Sequence, residues 1–412
     1  MQRIPVTHAG SLIRPPELLS FQAAIDSGQP YDEAGYATAL RKAVTGVVRG
    51  QADAGIDVLD DGEMGKSSWI SYLYQRTTGL EARPIEGDVT KFMPASRDRQ
   101  HFPGAYAEQD ARDAAATRAA GGGGGGIADW VCTGPMRYDR TAIDRDIANF
   151  KACLDDAGIG LETGGEGAVG EDGGGVQAFL PVVAPASAYW LRNEHYGSEE
   201  EFVYALADVL HEEYKAITDS GLLLQVDDAV LMHEADTMLS RGQSWADYRA
   251  WAELRVDALN HALAGLPEDR IRYHVCFGSW HGPHAYDPPL RDSIDLVLRV
   301  NAKYYLMEQA NPRHEHEWAI WRDVKLPDGK VLVPGVVTHH TNVVEHPELV
   351  AQRLTRLANV VGRENVMGGT DCGFAQGAFV HRVHEEIQWA KLASLAEGAR
   401  LASRQLWGAT GD

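Results

Sequence analysis

IRYHVCFG, residues 271–278, is a strand-length run (271–275) that ends in a histidine-x-cysteine pair, His274 and Cys276. Side chains two residues apart on a strand point the same way, so this pair is aimed at one place. Working outward, similar short apolar runs recur at 4–7, 56–59, 179–183, 222–226, 303–307, 331–337 and 365–369. Helical patterns at 198–220, 244–266, 291–301 and 346–362 separate several of them, as βα units require. Eight such runs in one chain predict a closed (β/α)₈ TIM barrel better than an open sheet. The expected organisation is a single catalytic barrel over residues 1–412. Two glycine-rich insertions, 94–129 (with Gly121 to Gly126) and 164–175, are expected as mobile loops because such sequence cannot offset its ordering entropy by burial.

The polar residues gather where the runs end: His8, Asp61 and Glu63, Asp227 and Asp228, His274 and Cys276, Glu308, His339 and His340, Asp371 and Cys372. In a barrel of this type those ends converge on one mouth, where active sites lie. Two thiolates, an imidazole and a carboxylate suit Zn²⁺ better than harder cations. The spacing is too wide for a zinc finger and fits ligands gathered from separate strands. Taken alone, a His-x-Cys pair is weak evidence, and a buried cysteine beside a hydrogen-bonded histidine is its plainer reading. The charge of the full set, −3 against +2, favours an electron-rich bound thiolate over a metal hydroxide, which points to thiol alkylation.

Composition narrows the partners. The 412 residues carry 38 Lys and Arg against 59 Asp and Glu, a formal charge of −21, which disfavours nucleic acid and anionic membrane. No apolar run is long enough to span a bilayer, and the start of the sequence lacks signal-peptide character. Four scattered cysteines form no disulfide framework, so a cytoplasmic location is expected.

The ordered set THAGSLIRP (7–15), VLDDGEMG (58–65), LLQVDDAVL (223–231), YHVCFG (273–278), LMEQANPRHEHEW (306–318), GVVTHHTNVVE (335–345) and GTDCGF (369–374) resembles the catalytic barrel of cobalamin-independent methionine synthase and its short relatives. The resemblance implies a zinc-dependent methyltransferase acting on homocysteine or a related small thiol. It implies His274, Cys276, Glu308 and Cys372 as zinc ligands, and Gly10, Ser11, Glu63 and Asp227 around the amino-acid part of the thiol. It also makes His340 a catalytic proton donor beside Asp227. Ser11 as a helix cap, and Glu63 and Asp227 as rim ion pairs, are the plainer readings. The donor is left open between methyltetrahydrofolate, a methylated corrinoid protein and another methylated compound, and a homo-oligomer is also open. Tyr189 and Trp190 lie near the family's pterin-stacking segment without matching it cleanly. The alternative is an epoxyalkane:coenzyme M transferase, whose sulfonate Arg14 and Arg313 would serve. His314, Glu315, His316 and Glu317 resemble a second metal site, but on an α-helix they would diverge.

Overall fold

The computed structural model describes residues 2–26, 28–84, 96–119, 128–161, 176–188 and 191–408. Seven parallel strands lie in the order Val58–Asp60, Gln177–Val183, Leu223–Asp228, Ile271–Val275, Tyr304–Met307, Val331–Val337 and Gly369–Thr370. The run at 4–7 closes the ring. Val6 bridges in parallel to Gly368, and its carbonyl accepts the amides of Asp57 (2.9 Å) and Val58 (3.3 Å), joining the two ends of the row. The eight predicted runs are thus the eight staves of a (β/α)₈ barrel.

Strand parity decides what each residue faces. Val58, Phe179, Leu223, Tyr304, Leu306, Val333 and Met367 form a separate apolar cluster from alternate positions, the filled barrel interior. Arg272 joins them, its guanidinium 3.7 Å above the Phe179 ring and bonded to Thr7 Oγ1 and the His8 carbonyl. Residues 272, 274 and 276 therefore look inward, whereas Tyr273 and Val275 pack in the outer core with the helices.

Helix starts follow local chemistry. Ser198 caps Glu199–Asp219 by accepting from Glu201 N, and Ser244 with Asp247 forms a reciprocal capping box on Trp245–Ala262. Pro347 opens Pro347–Val361 at a position where its missing N–H costs nothing. The helix expected at 291–301 is broken into a 3₁₀ turn, Leu290–Asp292, and a short helix, Ile294–Leu298.

The reading of 94–129 as a structureless insertion is corrected. Helices Arg97–His101 and Pro103–Ala119 occupy most of it, and the strand Asp129–Tyr138 begins at its end. That strand pairs antiparallel with Thr77–Arg83 and parallel with Leu191–Asn193, a small second sheet that the sequence reading did not foresee. Gly121 to Gly126, the 164–175 segment, Tyr189 and Trp190 lie outside the described residues. Among the described residues, no helix is long and apolar enough to cross a membrane.

Candidate metal centre and substrate cavity

His274, Cys276 and Cys372 meet inside the mouth of the barrel, each offering a ligand atom, all within 4.8 Å of one another. The two sulfurs are 3.9 Å apart. Neither ring nitrogen of buried His274 has a hydrogen-bond partner, although an unpaired buried polar group is costly. Their contact pulls the Cys372 thiol well below its ordinary value, with His274 adding to the effect, and pushes Cys276 well above. Two sulfurs in contact beside a buried imidazole without a hydrogen-bond partner form the donor set of a soft divalent cation, and it fits zinc.

Cys372 is placed by close packing. Thr370 Oγ1 accepts the Ala9 amide (3.1 Å) and donates to the Cys372 carbonyl (3.0 Å). A methyl group on Gly373 would stand 2.1 Å from Ser11 Oγ, so only glycine lets the 9–12 loop and the cysteine loop touch. Asp371 ties this loop to the end of the Tyr304–Met307 strand by accepting the amides of Gln309 (2.9 Å) and Ala310 (2.8 Å).

Glu308 is buried nearby but stands outside the three-residue group. Its Oε2 accepts the Phe277 amide (3.1 Å) and its Oε1 the Asn311 side chain (2.8 Å). The expected fourth ligand thus also braces the Cys276 loop, with a lone pair left on each oxygen.

A cavity of about 310 Å³ opens onto the sulfurs. Ser11, Glu63, Asp227, His274, Cys276 and Cys372 are among its lining residues, so most of the expected residues meet there. Gly10, at φ +118°, lies beside Glu63; a methyl group on it would be 3.4 Å from Glu63 Oε1. Glu63 itself takes φ +56°, an unusual conformation for a non-glycine residue. Arg14 holds that turn by donating to the carbonyls of Glu63 (2.7 Å) and Lys66 (3.0 Å). The Lys66 ammonium lies 3.4 Å from the Glu63 carboxylate.

Parity separates the two adjacent aspartates. Asp228 points outward and accepts from Ser187 Oγ (3.0 Å) and Tyr273 Oη (2.8 Å). Asp227 points into the cavity, with Gln225 Nε2 donating to it at 2.8 Å. Burial, with Glu63 adding to it against the opposing pull of His274, pushes its carboxyl up to about 7.

His340 is not brought to the cavity wall. It is half-buried beside His339 and His281, with ring centroids 4.9 and 6.2 Å away, and burial pushes its imidazole down to about 4. The HEHE segment also departs from expectation. Glu315–Arg322 is a 3₁₀ helix, which brings His314 and Glu317 together while Glu315 pairs with Arg353. Other lining residues of the cavity were missed altogether: Asp98, Arg99 and Tyr106 from the corrected segment, with Trp69, Trp280 and Asp287. Arg97 anchors that segment on Asp236 and the Tyr286 carbonyl, and Trp280 Nε1 donates to Tyr106 Oη (3.0 Å).

With this geometry in hand, comparison with known proteins is specific. The family model "Cobalamin-independent synthase, Catalytic domain" matches residues 186–391. A methionine synthase of Thermococcus kodakarensis is 23% identical over 408 residues, covering 98% of this chain and 94% of that protein. One from Pyrococcus furiosus is 24% identical over 412 residues, covering 98% and 94%. Among solved structures, a B12-independent methionine synthase from a Shewanella species, in complex with selenomethionine, matches with a TM-score of 0.68 at 17% identity, covering 98% of this chain and 99% of that one. A putative vitamin-B12 independent methionine synthase from Listeria monocytogenes gives 0.62 at 17% identity, covering 97% and 98%. At such identities the structural matches speak to the fold.

Proposed function

The chain belongs to the cobalamin-independent synthase catalytic-domain family, and from that premise we propose that it is a zinc-dependent methyltransferase that methylates the thiol of homocysteine. The observation that carries this reading is the His274–Cys276–Cys372 cluster opening onto a cavity whose rim holds Glu63 and Asp227. His274, Cys276 and Cys372 would hold the zinc, and Glu308, each of whose oxygens accepts one hydrogen bond and keeps a second lone pair, would be the fourth ligand if its carboxylate turned toward them. Bound there, zinc lowers the pKa of a coordinated thiol while leaving its sulfur nucleophilic.

The protein's own residues do the rest. Glu63 and Asp227 present carboxylates to the substrate ammonium, and the Ser11 loop, locked against Gly373, fixes the amino-acid end relative to the sulfurs. The methyl donor would share the cavity with the thiol, beside the lining residues Asp98, Tyr106 and Trp280. The coenzyme M reading is not favoured, because neither Arg14, which donates to the Glu63 turn, nor Arg313, which donates to the Ala285 carbonyl, lines the cavity.

Zinc content and zinc K-edge absorption of the purified protein test this. About one zinc per chain is expected, gaining one sulfur neighbour with L-homocysteine and none with coenzyme M. Zinc that ignores homocysteine would overturn the reading. The two aspartates give a second test. Asp227→Asn should raise KM for homocysteine by roughly 10-fold or more, the loss of one charge-assisted hydrogen bond of about 1.5–3 kcal/mol, with little change in melting temperature. Asp228→Ala should do the reverse, lowering stability by about 1–3 kcal/mol because the Tyr273 hydroxyl is left unpaired.

A further inference from the structure

The stretch DDGEMGK (60–66), which carries Glu63, ends in a lysine that is buried yet does not line the cavity. A buried ammonium has lost the water that stabilised its charge, so its partners show what holds it in place. Lys66 Nζ donates to the Pro181 carbonyl on the strand Gln177–Val183 at 2.5 Å. It also lies 4.3 Å from the centre of the Tyr72 ring, against which the Arg76 guanidinium packs at 4.9 Å. One neutral acceptor and a ring face shared with a second cation offset little of the cost of burial. The remaining partner is a carboxylate, Glu63 Oε2, at 3.4 Å.

The turn itself is built from acids. Asp60 Oδ1 accepts the Gly62 amide and Asp61 Oδ1 the Glu63 amide, both at 2.9 Å, so two consecutive aspartates shape the backbone that holds Glu63 at φ +56°. The Lys66 amide closes the turn on the Glu63 carbonyl at 3.1 Å. Asp60, Asp61 and Glu63 are all buried. Burial pushes the Asp61 carboxyl up to about 6, and Lys66 is the strongest influence against it. Arg14 donates to the carbonyls of Glu63 and Lys66; among the described residues, Lys66 is the cation within ion-pair distance of the Glu63 carboxylate.

That carboxylate is divided. Oε2 faces Lys66, whereas Oε1 lies on the Gly10 side, 3.4 Å from the place a methyl group on Gly10 would take. A neutral donor could bond the Pro181 carbonyl as well as an ammonium does. The charge is needed for the acids, because like charges crowded in a low dielectric drive one of them to take a proton. Without Lys66, the Asp61 bond to the Glu63 amide would lose its charge assistance, and the strained Glu63 conformation would relax.

We propose that Lys66 is the positioning residue of the amino-acid subsite, anchoring Glu63 Oε2 so that Oε1 meets the substrate ammonium, and that it thereby makes the site select thiols carrying a primary amine. The proposal rests on the thiol methyltransferase reading and deepens it, since the selectivity comes from a side chain that touches neither metal nor substrate. His274, Cys276 and Cys372 come from other strand ends, so the metal site is independent of it.

Calorimetric titration of the zinc-loaded full chain with two thiols tests this. L-Homocysteine carries the amine; 4-mercaptobutanoate keeps the thiol and the carboxylate and lacks it. Wild type should bind homocysteine at least ~10-fold more tightly, the range of one hydrogen bond to a charged group. Lys66→Met should weaken homocysteine by at least ~10-fold and 4-mercaptobutanoate by less than about 3-fold, with zinc retained. Lys66→Arg should recover part of the loss. If Lys66→Met does not fold, Lys66→Gln, which keeps a donor for the Pro181 carbonyl, supplies the same comparison. Equal weakening of both thiols would mark Lys66 as a merely structural residue, and unchanged homocysteine binding would leave it no role in the subsite; either result overturns the proposal. Wild type binding the two thiols equally sinks this proposal and leaves thiol activation standing. Wild type binding neither sinks the methyltransferase reading beneath it.

Discussion

Cys372→Ala is expected to cost the protein its zinc at micromolar chelator and to lower methyl transfer by on the order of 10³-fold or more. The cluster has three donors, so deleting one sulfur leaves His274 and Cys276, too few to hold zinc without help. A metal that stabilises a reacting centre by several kcal/mol takes that much with it when it leaves, and each 1.36 kcal/mol is tenfold in rate. Stability should suffer less. Cys372 is partly exposed to the cavity, and its loop is held independently by Asp371 bonded to the Gln309 and Ala310 amides and by Phe374 N donating to the Ser11 carbonyl. Metal analysis, turnover and thermal unfolding on the same preparation check this. Retained zinc with lost fold would mark the site as structural and contradict the proposed chemistry.

Much of this site was legible because strand parity is a local rule. Once 271–275 is read as a strand, His274 and Cys276 share a face by counting, while Asp227 rather than Asp228 was picked out by the family resemblance and agrees with the same rule. Glu308 came from its strand-end position and the resemblance, but its bond to the Phe277 amide depends on how the 276–278 turn comes back across the barrel, which no local pattern encodes. The HEHE segment misled because all four side chains were taken to diverge, although residues three apart are neighbours on an α-helix too. In a 3₁₀ turn residues three apart eclipse, so His314 and Glu317 share a face. Helix Pro103–Ala119 was hidden for a different reason. Most of its apolar residues are alanines, and it sits next to a glycine run, so no apolar stripe announces it. What holds that wall is Arg97 on Asp236 and Tyr106 on Trp280, contacts spanning 139 and 174 residues.

The small second sheet was equally silent in the sequence, and its attachment to the barrel supplies the largest expected stability effect. Arg76, immediately before the strand Thr77–Arg83, is buried between Glu213 of helix Glu199–Asp219 (3.0 Å) and Asp146 of helix Thr141–Ala157. Its carbonyl accepts the Asp139 amide at 2.8 Å, and its guanidinium lies 4.9 Å from the Tyr72 ring centre. Glu213 is almost fully buried; burial pushes its carboxyl up, and Arg76 is the principal group opposing that. Arg76→Met should therefore destabilise by about 3–5 kcal/mol, because a buried carboxylate loses its counter-ion. The sign of the companion change separates this cause from lost packing. Adding Glu213→Leu to Arg76→Met removes the stranded charge, so the double variant should be more stable than the single one in urea unfolding. A double variant worse than either single would mean that Arg76 acts through its packing on Tyr72 instead. Because the Asp98–Tyr106 wall docks on the barrel through its own contacts, zinc binding should survive in both variants below their unfolding transitions.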